Sequence, residues 1–247
     1  MSQLVDYQRH GSVGVITVNN PPVNALGVGV RQGLLDALGR GVADGGARAL
    51  VLVGGGRTFI AGADIREFGK PLAAPDLNEV LTRYEGSPKV VVAAIHGTAL
   101  GGGLEVALAC HYRCAVGNAQ VGFPEVKLGL LPGAGGTQRL PRLIGVQPAL
   151  EMIVSGDPLR AHRALELGIL DTVVEGDLVE GAVAFAERLV AEGRPRRKIA
   201  EMQDKVRQAT PALFEAFRKG VERQTRGYFA PGKCIESVQA ATTLPFV

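Results

Sequence analysis

Tryptophan is absent and the aromatic share is only 5%, which leaves little material for a broad aromatic binding face. Cysteine is scarce too: Cys110, Cys114 and Cys234 are too few, and odd in number, for a disulfide framework. Cys110 and Cys114 lack further metal-type ligands at finger spacing, so buried free thiols are expected and no metal site. No apolar run reaches about 18 residues, so the signature of a membrane-spanning helix is missing. Met1-Ser-Gln-Leu-Val-Asp6 carries no basic-then-apolar leader, and the end of the chain is not a peroxisomal tripeptide. A cytoplasmic chain is the expectation. Charge is modest as well: +3 suits a small anionic ligand better than nucleic acid, which needs a concentrated basic face.

What the chain does have is glycine (34 residues), a hydrophobic content of 46% and a mean hydropathy of +0.15. At 247 residues it can build a substantial core. Leu4 to Gln8 and Val13 to Val18 alternate like paired strands around the turn His10-Gly11-Ser12. Val30 to Val42 has helical apolar spacing, Ala49 to Val53 reads as a buried strand, and Leu77 to Tyr84 as a helix. Between them Gly69 to Pro75 reads as a mobile loop. Strands and helices alternate without a fixed sequence period, which favours an α/β fold. Helices are predicted from Ala149 to Val154 and near Ala161 to Leu167, with a last strand over Leu170 to Val174. Beyond Leu178 the pattern is helical, including Leu178 to Ala191 and Pro211 to Thr225. Residues 1–177 are therefore expected to form the core and 178–247 a helical C-terminal region ending in a linker-like tail. Arg194-Pro-Arg-Arg-Lys198 is a basic cluster: a solvated patch first, an attractor of a phosphorylated ligand second.

The stretch from Val90 to Glu125 carries the chemistry. Val90 to Ile95 suits a buried strand; Gly101, Gly102 and Gly103 follow, then Leu104-Glu105 and the apolar run Val106 to Cys110. Glycines there let the backbone turn tightly and let a ligand approach it, although close helix packing alone would also use them. Glu105 has Leu108 and Ala109 at i+3 and i+4 and Gly101 at i−4, so its own helix face offers no polar partner. A carboxylate in such company should have a raised pKa, unless it sits in water at the helix rim. A second carboxylate, Glu125, follows on a loop in Val121-Gly-Phe-Pro-Glu-Val126. Neither Gly101 to Glu105 nor Gly133-Ala-Gly-Gly-Thr137 has dinucleotide-binding spacing, and no Walker or G-x-S-x-G motif occurs. The second glycine group opens a predicted helix, whose free N–H groups suit water or an anionic oxygen.

Ile60-Ala-Gly-Ala-Asp-Ile65, Gly97 to Glu105, Phe123-Pro-Glu125 and Leu131 to Leu140, in this order, resemble the signature blocks of the enoyl-CoA hydratase/isomerases, the crotonase superfamily. Gly122 to Glu125 and the tail Ala230-Pro-Gly-Lys-Cys-Ile235 through Leu244-Pro-Phe246 are most similar to the hydratase part of bifunctional enoyl-CoA hydratase/3-hydroxyacyl-CoA dehydrogenases. The chain stops where the dehydrogenase part would begin, so a one-activity relative or a fragment is expected, with no NAD site and no cofactor beyond the coenzyme A of the substrate. The resemblance implies a spiral of ββα units with a C-terminal helical region. It implies an acyl-CoA thioester held by the backbone N–H groups of Ala63 and Gly102, with Glu105 and Glu125 catalytic and the Gly133 N–H orienting water. Ala61, Ala63, Asp64 and Ile65 would border the coenzyme, and Ile65 to Pro75 the acyl chain. Arg66 would meet the phosphates, a plain surface role being equally open.

The implied reaction is syn addition of water across the 2,3 double bond of a trans-2-enoyl-CoA in fatty-acid β-oxidation. Double-bond isomerisation from position 3 to 2 is the alternative, and a non-catalytic acyl-CoA-binding or assembly module the alternative of another class. A trimer, a hexamer or contact with a dehydrogenase partner is expected, and loss of that partner would leave Pro211 to Thr225 exposed.

Overall fold

The computed structural model describes residues 4–67, 69–71 and 73–246. The chain begins with a hairpin, β1 (Val5–His10) and β2 (Val13–Val18), followed by α1 (Val28–Ala43). Then come β3 (Ala49–Gly54), α2 (Leu77–Glu85), β4 (Val90–Ile95), β5 (Thr98–Leu100) and α3 (Gly102–Ala109). β6 (Tyr112–Val116), β7 (Gln120–Gly122) and a 3-10 turn (Pro124–Leu128) lead into α4 (Gly136–Ile144) and α5 (Val146–Ser155). β8 (Leu159–Arg160), α6 (Ala161–Leu167) and β9 (Thr172–Val174) complete the strands, and α7 (Leu178–Ala191), α8 (Pro211–Thr225) and α9 (Ala230–Thr243) the helices.

Six strands form one sheet in the order β1-β2-β3-β4-β6-β9, parallel from β2 onward, while β5, β7 and β8 form a second, smaller sheet. Three successive segments divide themselves between the two. β3, β4 and β6 enter the large sheet, and the chain that follows each one reaches the small sheet: Ile60 bridges Ala99, and β5 pairs with β7 in parallel. Repeated strand–strand–helix units thus wind through the molecule without sequence repetition.

Continuous apolar strands follow from burial on both faces. Leu50 and Leu52 of β3 and Val91, Ala93 and Ile95 of β4 face α1, α2 and α3, while Val51, Val53, Val92 and Ala94 face the opposite way. That second face is covered by α7 through Ala182, Phe185, Ala186 and Leu189. Asp177 caps α7, its side chain accepting from the Glu180 amide. The division expected after 177 therefore falls at a helix start, and α7 is part of the packing of the sheet.

The tail read as linker-like is corrected by the structure. Ala230–Thr243 is an α-helix with Cys234, Ile235, Val238 and Ala241 buried, and it packs on α4 and α5. Pro231 stands in the first turn of this helix, where no intrahelical N–H is needed. Cys110 and Cys114 are free and buried, as expected, and so is Cys234. Among the described residues no helix is long and apolar enough to cross a membrane, and no group of three or more His, Cys, Asp or Glu comes together as metal ligands.

Candidate active site

Parallel pairing in the small sheet brings distant residues to one edge. Leu100 donates to the Ile60 carbonyl at 3.2 Å, and Gly101 donates to the Gly122 carbonyl at 2.9 Å. The residues just beyond these strand ends are Ala63, Gly102 and Glu125, so sequence positions about 20 to 60 apart converge because their strands run the same way. A Cβ built on Gly102 would lie 3.7 Å from the Ala63 nitrogen, which puts the two expected amides side by side. Among the described residues neither N–H is engaged in a hydrogen bond. Gly102 is also the first residue of α3, so its amide adds the positive end of that helix.

Close approach is what the glycines of this junction provide. Gly101 has φ +52°, a conformation that L side chains avoid, and a methyl group there would stand 2.8 Å from Oε1 of Glu125. A Cβ on Gly103 would overlap the Ile60 carbonyl oxygen. Helix α3 can approach the Ile60 strand only because residue 103 has no side chain.

Glu105 lies one turn into α3 and is 2% exposed. Its own helix face offers no polar partner, and its partners come from elsewhere in the chain: Oε1 accepts from the Ala134 amide at 2.7 Å and the Gly136 amide at 2.8 Å. These donors come from the second glycine group, at the start of α4, where Gly135 with φ +90° lets successive N–H groups turn toward one acceptor. Burial raises the Glu105 pKa, as the sequence suggested. The two amides and the positive charge of Arg139 pull the other way. No hydrogen bond from the Gly133 N–H, expected to orient water, is found among the described residues.

Glu125 sits on the Pro124–Leu128 turn with Oε2 buried and unpartnered among the described residues. Burial pushes its pKa up to about 7; its own amide lowers it, and the nearby Glu105 charge raises it. Two carboxyls thus face one small volume beside two free amides. One is clamped by amides and the other is poised to hold a proton near neutrality.

The remaining expected residues spread outward. Ala61 donates its amide to the Val23 carbonyl, and Ile65 is 75% exposed. Asp64 is buried, and Arg66 folds onto it with Nε–Oδ1 2.9 Å and Nη2–Oδ2 2.7 Å, holding the Asp64 carboxyl down at about 2. Arg66 is therefore already paired, although exposed. The loop expected to be mobile is tied down at one end: Arg31 donates to the carbonyls of Ala73 and Pro75 and to Glu67, whose other oxygen accepts the Val28 amide. Phe68 and Leu72, within the segment expected to border the acyl chain, lie outside the described residues.

The basic cluster is not at this site. With Arg48 and Lys89, Arg194, Arg196 and Lys198 surround a depression of about 610 Å³ where β3 and β4 begin. Ala63 and Gly102 follow the opposite strand ends, about 20 Å away for strands of this length. Its place agrees with a solvated patch. A cleft of about 960 Å³ lies behind the Glu125 turn, lined by Val126, Val154, Phe217, Val221, Tyr228 and Pro231. The Pro211 to Thr225 helix, expected to be exposed, packs Leu213, Phe214, Phe217 and Val221 against the core.

Sequence reasoning missed Arg139 and Glu85, both buried and paired at 2.8 Å. Arg139 shares a helix face with Leu143 at i+4, and a charge on an apolar face was the available signal.

The enoyl-CoA hydratase/isomerase family profile matches residues 8–237. A peroxisomal bifunctional enzyme of Danio rerio is 46% identical over 235 residues, covering 95% of this chain and 33% of that protein. The chain thus spans about a third of the length of such bifunctional relatives. A probable enoyl-CoA hydratase of Bacillus subtilis (strain 168) is 44% identical over 193 residues, 74% of each chain. The solved enoyl-CoA hydratase from Bacillus anthracis superposes with a TM-score of 0.71 at 30% identity, covering 96% of this chain and 91% of that one. The fold is the crotonase-like spiral that the sequence blocks implied, and the chain belongs to the enoyl-CoA hydratase/isomerase family.

Proposed function

We propose that the chain is an enoyl-CoA hydratase of fatty-acid β-oxidation, adding water syn across the 2,3 double bond of a trans-2-enoyl-CoA. The observation that carries this reading is the pairing of Glu105, clamped by two amides, with Glu125, whose pKa is pushed up to about 7, beside the free amides of Ala63 and Gly102. The thioester oxygen accepts from those two amides. As water adds at C3, negative charge moves onto that oxygen, and each preorganised donor lowers the barrier by about 3 kcal/mol. The Glu105 oxygen not held by Ala134 and Gly136 takes a proton from water, whose oxygen bonds to C3. Glu125, protonated in a large fraction near neutrality, gives its proton to C2. Passage of the proton from Glu105 to Glu125 resets the site.

The same near-neutral Glu125 suits a shuttle between C4 and C2, so isomerisation of 3-enoyl to 2-enoyl thioesters is a side activity within this reading. The reaction needs no redox cofactor. A cytoplasmic setting, self-association and contact with a dehydrogenase that consumes the 3-hydroxyacyl product belong to the same proposal.

Loss of conjugated-thioester absorbance on a ladder of 2-enoyl-CoA lengths tests it. Turnover abolished by Glu105→Gln, with acyl-CoA binding intact, is expected. Calorimetric acyl-CoA binding without any turnover by the unaltered chain would make it a binding module instead.

A further inference from the structure

Three consecutive peptide units form the grip on Glu105. The first supplies the Ala134 N–H and the third the Gly136 N–H, both to Oε1. The middle unit, carrying the Ala134 carbonyl, accepts from Arg139 Nη1 at 3.2 Å. Arg139 Nη2 reaches Glu85 Oε2 at 2.8 Å, and Glu85 Oε1 is fixed in turn by the Ala200 amide at 2.9 Å. On its open face the guanidinium lies 4.7 Å from the centre of the Phe246 ring, which Arg142 also covers at 5.3 Å. A methyl group on Gly135 would stand 2.8 Å from Arg139 Nη1 and 3.4 Å from the Phe246 ring. Nothing but glycine fits between the clamp and the turn.

We infer that Arg139 is a positioning residue for Glu105: held by Glu85 and Phe246, it locks the middle peptide and so aims both amides at one carboxylate oxygen, leaving the other for water. The inference rests on the reading of Glu105 as the base of hydration. The bond to the Ala134 carbonyl is what ties Arg139 to the clamp, and a burial role alone would leave the kinetic and titration readouts below unmoved. The electrostatics run in the same direction. The charged or titratable groups on the elements packed against α3 are Glu79, Arg83, Tyr84 and Glu85 of α2, Tyr112, Arg113 and Cys114 of β6, and Arg139 and Arg142 of α4, with Glu125 on the turn that precedes α4. Of these, Arg139 is the one whose charge favours ionised Glu105. Cys234 of α9 faces Glu125.

Arg139→Gln, Arg139→Lys and Phe246→Leu are compared with the unaltered chain in three measurements: the pH profile of kcat/KM for crotonyl-CoA hydration, butyryl-CoA affinity by calorimetry, and direct titration of Glu105 by carboxyl carbon NMR. Glu105→Gln assigns the resonance. Arg139→Gln is expected to lose about 100-fold in kcat, the cost of misplacing a catalytic group by about 1 Å. Butyryl-CoA affinity should stay within about threefold, and the Glu105 titration and the acid limb should both move to higher pH. Arg139→Lys keeps the charge but loses the fork, so it should restore the titration without restoring kcat. Phe246→Leu should lower kcat about threefold to tenfold. Should Arg139→Gln fail to fold, pairing it with Glu85→Gln removes the stranded buried charge, and the same losses are expected in that double variant. A folded Arg139→Gln or double variant with unaltered kcat and Glu105 titration overturns the inference. No hydration by the unaltered chain sinks the hydratase reading alone, because the NMR titration still reports whether Arg139 governs Glu105.

Discussion

Gly101 and Glu125 are in contact across the site: a methyl group on the glycine would stand 2.8 Å from Oε1 of the carboxyl group. The two are held together by the Gly101 amide, which donates to the Gly122 carbonyl three residues before Glu125. Gly101→Ala should therefore push Glu125 away while straining a backbone at φ +52°. Hydration is expected to fall by about 100-fold, with the circular dichroism spectrum unchanged. Steady-state kinetics on crotonyl-CoA provide the check.

Gly103→Ala is a different experiment. Here the added carbon meets the Ile60 carbonyl oxygen, which is backbone and has no freedom to swing aside. A loss of about 3 kcal/mol or more is expected, from overpacking at a helix–strand contact. Urea unfolding of the two glycine variants side by side separates the catalytic glycine from the packing glycine.

The pH profile follows from Glu125. A proton donor must be protonated, and with its pKa raised to about 7 this group loses its proton as pH passes through that value. kcat/KM should therefore fall on the alkaline side with an apparent midpoint near 7. Glu125→Gln should remove both the limb and nearly all of the rate. A flat profile from pH 6 to 9 in the unaltered chain would contradict the assignment of Glu125 as donor.

Acid stability has another source. His111 accepts the Val91 amide at Nδ1 and lies 3.2 Å from the Glu85 carbonyl at Nε2, so its neutral form is the one held. Burial, chiefly, lowers its pKa from 6.5 to about 4. The unfolded chain therefore takes up a proton at higher pH than the folded one. Stability is complete above 6.5 and is lost as pH falls toward 4, by about 3 kcal/mol in all. Urea midpoints measured from pH 7 to 4.5 should drop less steeply in His111→Gln than in the unaltered chain.

Much of the site was legible because its parts are local. Glu105 stands out in an apolar helix, and the glycines before it announce a backbone approached closely. The large sheet was legible for the same reason, since strands buried on both faces, such as Val90–Ile95, are unbroken apolar runs. Contacts whose chemistry is in the backbone were not legible. The amides of Ala134 and Gly136 reach Glu105 from about 30 residues away, and any residue type has an amide to offer. The Arg139–Glu85 pair spans 54 positions and depends on how α4 crosses the end of α2. Helix α9 was passed over because resemblance to bifunctional relatives made the tail look like a linker, although Cys234, Ile235, Val238 and Ala241 lie at helical spacing.

Arg31 grasps the carbonyls of Ala73 and Pro75 rather than their side chains. Its grip is thus indifferent to which amino acids occupy those positions. The side chain at position 73 can therefore be exchanged without cutting the tie between this loop and α1.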